Sequence, residues 1–333
     1  MKETFDAIDI AKFVASILIF SMHCNIFGEY SFFLEVTARW GVPFFFICSG
    51  YFLFSKSENG KITKETLIRY IRRLGMLYLV WFVINFPNVF FKHLYSKKIL
   101  DNRTWLFFLK NSILSSTFTA SWFLGSSIFS AWIIYILGKK LKTTAMIAVA
   151  SILYVLCVFS SVYRGVLPSE AYQVLKFLSF PLNIFNGCIY FAVGKYIYEN
   201  KQFAFKIFVK KRAFLIFILF YYTYIVELCL AKYYNFFGST DVAFSTIGIA
   251  LPLFLLCLQS NIKIKNGILL RKLSTIIFCC QGNVLLVNGF LKKIVKVPSI
   301  VSYLISAMIV TFICCAVLYI QKKKQWNWSK YLT

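Results

Sequence analysis

Residues 299–320 read SIVSYLISAMIVTFICCAVLYI and contain no charged side chain. An α-helix needs about 20 mainly apolar residues to cross a bilayer core that is roughly 30 Å thick. No water is available in that core to satisfy backbone polar groups, so such a run folds as a helix. The stretch therefore predicts a transmembrane helix, and comparable runs recur along the rest of the chain.

The composition favours a chain that is embedded in a membrane throughout. Of the 333 residues, 59% are hydrophobic and 15% are charged, against roughly 45–50% and 25% in soluble domains. The apolar runs predict spans near residues 7–27, 39–55, 74–92, 121–138, 144–163, 178–198, 213–231, 242–259, 271–291 and 299–320. We therefore predict an all-α, polytopic integral membrane protein with about ten transmembrane helices, which form one domain over residues 1–333.

The positive charge is distributed as in a membrane protein. The formal net charge is +25, but Lys and Arg lie in short loops between apolar runs and not on one amphipathic face. With the N-terminus inside, the inner segments hold roughly twice as many Lys and Arg as the outer segments, which places both termini in the cytoplasm. The charge thus indicates topology and no nucleic-acid partner. We expect a multi-pass protein of the cell (plasma or inner) membrane, in contact with membrane lipids.

The cysteines and the first apolar run are typical of a retained membrane domain. The ten cysteines lie in or at the ends of apolar runs, without the paired spacing of a metal site or a disulfide framework. We expect reduced packing residues and no bound metal. The first run carries Lys12 and His23 and lacks a small-residue cleavage site, so we expect a retained helix and not a signal peptide.

The first span carries two ionisable residues, Lys12 and His23, within its apolar part. Such groups are costly in a membrane and usually face a protein interior or a wet cavity. Their separation along the helix brings them within about 20° of one face and roughly 16 Å apart along the axis. An imidazole, with an ordinary pKa of about 6.5, suits a base that takes a proton from a hydroxyl. The alternatives are a packing histidine and a lysine that extends to the headgroups.

Three arginines precede the third span in the stretch Arg69-Tyr70-Ile71-Arg72-Arg73. Residues three positions apart share a helix face, and guanidinium groups bind phosphates through two parallel hydrogen bonds. At the cytoplasmic mouth, this cluster suits an anionic donor such as acyl-coenzyme A. The alternative is topology charge or contact with lipid headgroups.

Other polar residues are weaker candidates. Glu227 lies within an apolar span, where it either orients His23, pairs with a basic residue or has a structural role. Glu29 and Glu35 flank the outer end of the first hairpin and either meet the acceptor or are simply solvated. Ser49, beside a glycine, indicates close helix packing and not a nucleophile, because no nucleophile elbow surrounds it.

Four segments form an ordered series, and the resemblance that they carry covers essentially the whole chain. They are residues 5–12 (FDAIDIAK) leading to His23, residues 39–51 (RWGVPFFFICSGY), Arg69-x-x-Arg72-Arg73, and residues 121–124 (SWFL). In order and spacing the series resembles the membrane-bound acyltransferase 3 family. That family has a basic residue and a histidine in its first span, a GVPFFFxxSGF signature, a third-helix arginine motif and a Trp-Phe-Leu motif.

The resemblance implies transfer of an acyl group, most often acetyl, from cytoplasmic acyl-coenzyme A to a sugar hydroxyl. The acceptor is then an envelope polysaccharide or a lipid-linked glycan, and acyl-coenzyme A is a donor substrate and not a bound cofactor. By the same resemblance His23 is the catalytic base, and the donor-binding residues are Lys12, Arg69, Arg72 and Arg73. Trp122, Ser49 and Glu227 are candidate supporting residues.

Two positions depart from the family pattern. Position 12 is Lys where many members have Arg, which keeps the charge but loses the two-point hydrogen bonding of a guanidinium. Residues 274–283 (STIIFCCQGN) resemble a segment that often ends in a histidine, and Gln281 stands at that position. An amide does not titrate, so this site has no second acid or base.

Two other classes of function are compatible with a basic, aromatic, polytopic chain. One is a flippase, exporter or polymerase of lipid-linked glycans, and the other is a non-catalytic membrane sensor. The acyltransferase reading differs from both by its dependence on His23 and on acyl-coenzyme A.

Overall fold

The computed structural model describes residues 5–26, 31–57, 61–90, 102–119, 121–295, 298–323 and 329–333. Within these ranges the chain forms helices and no β-strand. The α-helices are α1 (Asp6–His23), α2 (Ser31–Ala38), α3 (Gly41–Phe54), α4 (Lys64–Ile84), α5 (Phe86–Val89), α6 (Asn102–Leu114), α7 (Ser121–Leu137), α8 (Thr143–Phe159), α9 (Ser169–Phe177), α10 (Cys188–Glu199), α11 (Lys201–Ile207), α12 (Lys210–Tyr233), α13 (Ser245–Leu258), α14 (Gly267–Val295) and α15 (Ser299–Lys323). The all-α prediction is confirmed for the described chain.

Each predicted span overlaps a helix. In the described part of the chain, four helical segments are long and apolar enough to cross a membrane, and they are Phe32–Phe54, Lys210–Tyr233, Gly267–Lys292 and Ser299–Lys323. Shorter apolar helices are Trp105–Leu114, Ser121–Leu137, Thr143–Phe159 and Ser245–Leu258. These helices support the membrane character of the chain, while the count of ten spans, the single domain and the cytoplasmic termini stay predictions.

The helix α4 begins well before the span predicted at 74–92. Thr63 is its N-cap, and the Thr63 hydroxyl accepts a hydrogen bond from the backbone N–H of Thr66 at 3.2 Å. The pKa of Glu65 is lowered, first by its own backbone N–H and then by the Thr63 hydroxyl. This cap satisfies free backbone donors at the start of the helix. The arginine cluster therefore lies inside α4 and not ahead of the helix.

The span predicted at 178–198 begins too early, because α10 starts only at Cys188. Asn183 donates to the Leu178 carbonyl at 3.2 Å and accepts from the Phe185 N–H at 3.1 Å. Such side-chain bonds offer the backbone an alternative to the helix, and Pro181 lacks an N–H for a helical bond. Residues 178–187 consequently form an irregular segment that contributes to the cavity described below.

Small residues allow α3 and α10 to pack closely. A Cβ at Gly50 would lie 2.7 Å from Phe191 Cα, and one at Gly194 would lie 2.6 Å from the Ile47 carbonyl oxygen. Neither space can hold a side chain, so both glycines are required for this contact. The close helix packing that the sequence predicts beside Ser49 is observed at Gly50.

The helices α1 and α14 lie side by side and run in the same direction. Arg271 donates from Nε and Nη2 to the two Asp9 carboxylate oxygens at 2.9 and 2.8 Å, and the Ser274 hydroxyl donates to the Lys12 carbonyl at 3.0 Å. Both pairs have the same sequence separation of 262 residues. Continued along both helices, this register brings Gln281 level with Ile19.

The cysteines are free, as the sequence predicts. All ten fall within the described ranges, seven of them buried, and none forms a disulfide. In the part of the chain that the structure describes, no three His, Cys, Asp or Glu side chains form a group that could hold a metal ion.

Candidate active site

A cavity of about 390 Å³ lies where α1 ends and where α3 and α7 begin. Its polar and aromatic lining residues are His23, Arg39, Phe46, Ser115, Ser116, Thr119, Trp122, Asn186, Tyr190, Asp241, Phe278 and Gln281. The lining thus combines a titratable imidazole, an ion pair, two amides, hydroxyls and aromatic rings. This mixture is typical of a site for a polar small molecule or sugar, with a few convergent polar groups among aromatic walls.

His23 is the last residue of α1 and is exposed in this cavity. Its neighbour on the cavity wall, Ile19, is buried on the same helix. His23 is therefore accessible from the cavity, as a base for an entering substrate must be. Trp122 lines the same cavity, so the structure brings these two predicted residues together.

The aromatic wall is built from α3, α7 and α10. The Phe46 ring lies 5.9 Å from the Trp122 ring and 5.9 Å from the Tyr190 ring, with the latter pair stacked. Ser121, the first residue of α7, lies beside this wall, and its hydroxyl accepts from the Thr117 N–H at 2.8 Å and from the Phe118 N–H at 3.1 Å. These bonds join the turn before α7 to the start of the helix, next to Trp122.

An ion pair that sequence reasoning missed closes another side of the cavity. Arg39 Nη1 lies 2.7 Å from Asp241 Oδ1, and Arg39 Nε and Nη2 donate to the Thr240 hydroxyl at 3.0 and 2.8 Å. The Thr240 hydroxyl donates in turn to Glu35 at 2.9 Å. This network joins the turn before α3 to the loop before α13. Glu35 is thus held within the protein, whereas Glu29 lies outside the described residues.

The sequence held only a weak signal for this pair. Asp241 is an isolated acid at the edge of an apolar run, and Arg39 opens the run 39–51. Each residue alone is typical of topology or solvation. Only the approach of two distant loops makes them a pair.

Glu227 has a structural role and is not among the cavity-lining residues. Its carboxylate accepts the backbone N–H groups of Phe244 and Ser245 at 2.9 and 3.0 Å, together with the Ser245 hydroxyl. These bonds satisfy free donors at the start of α13, where a negative charge is also favoured by the helix dipole.

The predicted donor-binding residues lie away from this cavity. The Lys12 ammonium lies 5.5 Å from the centre of the Phe52 ring, so it packs against α3. Ser49 lies on α3, beside the buried Tyr70 hydroxyl. The described cavity lining includes neither Lys12, Ser49 nor any arginine of α4.

The arginines of α4 are all exposed. Arg69 donates to the Glu65 carbonyl at 3.4 Å and to the Thr66 hydroxyl at 3.3 Å. Arg72 and Arg73 form neither a hydrogen bond nor an ion pair within the described part of the chain. Their guanidinium groups are consequently available to an anion from outside the helix bundle.

A second cavity, of about 230 Å³, lies near the start of α4 and is lined by Lys61, Lys139 and Lys195. Lys195 is buried, donates to the Thr143 hydroxyl at 2.9 Å and pairs with Glu199. Two exposed lysines therefore line this space, together with one lysine whose charge is paired with Glu199.

Comparison with known proteins identifies the family to which this chain belongs. The family model described as "Acyltransferase domain", that of the acyltransferase 3 family, matches residues 5–320. The chain belongs to the acyltransferase 3 family. The resemblance inferred from the four segments is confirmed, and membership supports an acyltransferase activity in a membrane.

Two curated relatives of this acyltransferase 3 chain are named "Amino-acid racemase", and both come from Enterococcus faecalis. One is 30% identical over 215 residues, which is 60% of this chain and 29% of the relative. The other is 26% identical over 178 residues, which is 50% of this chain and 24% of the relative. The chain spans less than a third of the length of either relative, so their name describes those longer proteins. No solved structure matches the chain.

Proposed function

We propose that the chain transfers an acetyl group from cytoplasmic acetyl-coenzyme A to a sugar hydroxyl of an envelope polysaccharide or lipid-linked glycan. The reaction takes place in the cell (plasma or inner) membrane, with His23 as the base. The observation that carries this proposal is the exposure of His23 in a polar, aromatic-walled cavity at the end of α1, in a chain whose family is acyltransferase.

In the proposed reaction, the neutral His23 imidazole accepts the proton of the sugar hydroxyl. The hydroxyl oxygen attacks the thioester carbonyl carbon and a tetrahedral oxyanion forms. Collapse of this oxyanion breaks the carbon–sulfur bond, and the leaving coenzyme A sulfur receives the proton from His23. An imidazole suits both steps because its ordinary pKa, about 6.5, lies close to neutral pH.

The proposed donor path begins at the exposed arginines of α4. Arg72 and Arg73, with Arg69, hold the phosphates of the donor, because guanidinium–phosphate hydrogen bonds are strong and directional. The pantetheine arm then passes Lys12 and brings the thioester to His23, which lies roughly 16 Å farther along α1. No other group is needed to carry the acetyl, so acetyl-coenzyme A acts as substrate and not as resident cofactor.

The proposed acceptor site is the outer part of the cavity. The Trp122 face offers an apolar surface to a sugar ring, and the Asp241 carboxylate and the Asn186 amide accept or donate hydrogen bonds to its hydroxyls. Arg39 holds Asp241 in place through the 2.7 Å ion pair. Such sites combine one aromatic wall with a few fixed polar groups.

The test is the composition of the envelope glycan in a deletion strain complemented with wild type, His23→Ala or Ile17→Val. Ile17 is a residue of α1 that packs against the hydrophobic core and does not line the cavity. Ile17→Val is therefore the matched control. Mass spectrometry and NMR should show an O-acetyl group that disappears on deletion and returns with wild type and Ile17→Val but not with His23→Ala. Unchanged acetylation with less or shorter glycan would instead favour a flippase, exporter or polymerase and would overturn the proposal.

A further inference from the structure

The side-chain amide of Gln281 has a buried hydrogen-bond donor for which the described residues provide no acceptor. The side chain is 1% exposed and lines the cavity that contains His23. Its Nε2 is buried without a hydrogen-bond partner among the described residues. A buried amide donor that stays unpaired destabilises the fold, so its retention at a cavity wall indicates a bond to a ligand.

The helix backbone on both sides of Gln281 is held by two asparagine side chains, Asn85 between α4 and α5 and Asn88 in α5. Asn85 Nδ2 donates to the Cys279 carbonyl at 3.0 Å, and Asn88 Nδ2 donates to the Gly282 carbonyl at 2.8 Å. The Asn283 N–H donates back to Asn85 Oδ1 at 3.2 Å. These bonds fix α14 in place at this level, so the amide is positioned before a substrate arrives.

Gly282 gives the two asparagine side chains room to approach α14. A Cβ at Gly282 would lie 2.8 Å from Asn85 Oδ1. The asparagine side chains therefore approach the helix closely because position 282 has no side chain. The result is a rigid support for the neighbouring amide and not a loosely packed helix surface.

The register of α1 and α14 gives the level of Gln281 relative to His23. Both helices run in the same direction, and Gln281 is level with Ile19 by the separation that joins Asp9 to Arg271. It therefore lies one helical turn, roughly 6 Å, nearer to the start of α1 than His23 does. In the predicted orientation this is the side from which the donor arrives.

We propose that the Gln281 amide donates a hydrogen bond to the thioester carbonyl oxygen and stabilises the oxyanion formed on attack. This inference rests on the proposed function. His23 takes the hydroxyl proton while the electron pair of the carbonyl moves onto its oxygen, and the amide N–H stabilises that negative charge until the carbon–sulfur bond breaks. A preorganised neutral donor is effective in this role and needs no proton of its own.

The experiment uses the purified full chain in lipid vesicles, with radiolabelled acetyl-coenzyme A and envelope membranes of the deletion strain as acceptor. Gln281→Met keeps a similar volume without a donor, and Gln281→Glu keeps the shape. Ile277→Val, in the packed core one turn earlier on α14, is the control. Loss of one oxyanion donor typically lowers kcat by roughly 10²–10³-fold, and we expect this in both Gln281 variants, with the KM for acetyl-coenzyme A unchanged and Ile277→Val within about twofold of wild type.

Binding of S-ethyl-coenzyme A separates catalysis from folding, because this thioether has no carbonyl oxygen. Both Gln281 variants should bind it as wild type does. Loss of that binding in both variants would overturn the inference, since Gln281 would then support the fold or another part of the donor. An unchanged kcat in Gln281→Met, in an experiment where His23→Ala is inactive, would overturn this inference alone. If wild type transfers no acetyl group, the proposed function fails, and the role of Gln281 fails with it.

Discussion

The ion pair between Asp9 and Arg271 predicts an asymmetric response to mutation. The Asp9 side chain is 4% exposed and the Arg271 side chain is 53% exposed, and they are joined by two hydrogen bonds of 2.9 and 2.8 Å. In Asp9→Asn the amide oxygen still accepts one bond, and the half-exposed guanidinium is solvated. In Arg271→Met the buried carboxylate loses both bonds and its counter-charge.

The two variants should therefore differ in the free energy of unfolding. For Asp9→Asn we expect a loss of about 1 kcal/mol, because one of the two charge-assisted bonds becomes neutral and the other is replaced by a bond from the half-exposed guanidinium to water. Removing one partner of a buried pair costs roughly 3–5 kcal/mol. The half-exposed site admits some water, so the expected loss for Arg271→Met is about 3 kcal/mol. The double variant should be more stable than Arg271→Met alone, since it buries no unpaired charge.

The assay is reversible unfolding of the purified chain in mixed micelles, with the four proteins of the double-mutant cycle compared under one condition. Helix content measured against denaturant concentration gives each free energy of unfolding. Equal losses in the two single variants, or a double variant less stable than Arg271→Met, would refute the argument from burial.

Two further predictions address the donor site and the packing of α3. Arg72→Ala should raise the KM for acetyl-coenzyme A about tenfold, which corresponds to roughly 1.4 kcal/mol from one lost phosphate contact. Lys211→Ala, at another exposed basic residue, should leave this KM unchanged. Titration with acetyl-coenzyme A measures the KM of both variants, and an unchanged KM in Arg72→Ala would contradict the proposed donor path. Gly50→Ala should lower the free energy of unfolding by about 1–3 kcal/mol, because the added Cβ would contact Phe191. Gly125→Ala should be tolerated, since no atom lies within 4 Å of its added Cβ. Similar unfolding curves for the two variants would contradict the packing argument.

Much of the candidate site follows from local patterns in the sequence. The position of His23 on α1 and the shared face of Arg69 and Arg72 depend only on helical spacing, which an apolar run already implies. The start of α4 and the late start of α10 were harder to predict. Hydropathy depends on which side chains are apolar and contains no information on capping. The Thr63 cap and the Asn183 hydrogen bonds determine where the backbone begins a helix.

The family resemblance predicted more of the candidate site than helical spacing alone. The family match over residues 5–320 confirms the resemblance. The roles of Lys12 and the arginines remain predictions that rest on it. Glu227 shows the limit of such reasoning, because an acid in an apolar span has several physical explanations. Its hydrogen bonds to the first residues of α13 select the structural one.

The sequence by itself determined the helical, membrane-embedded character of the chain, because hydropathy and the backbone's need for internal hydrogen bonds act over a single helix. It also determined which residues can titrate or bind phosphate. Tertiary structure alone decided that Arg39 meets Asp241, that Arg271 meets Asp9 and that Gln281 Nε2 is buried at the cavity of His23 without a partner among the described residues. These contacts join residues that are distant in the chain, and their energies depend on burial and on mutual orientation, which exist only once the helices have packed.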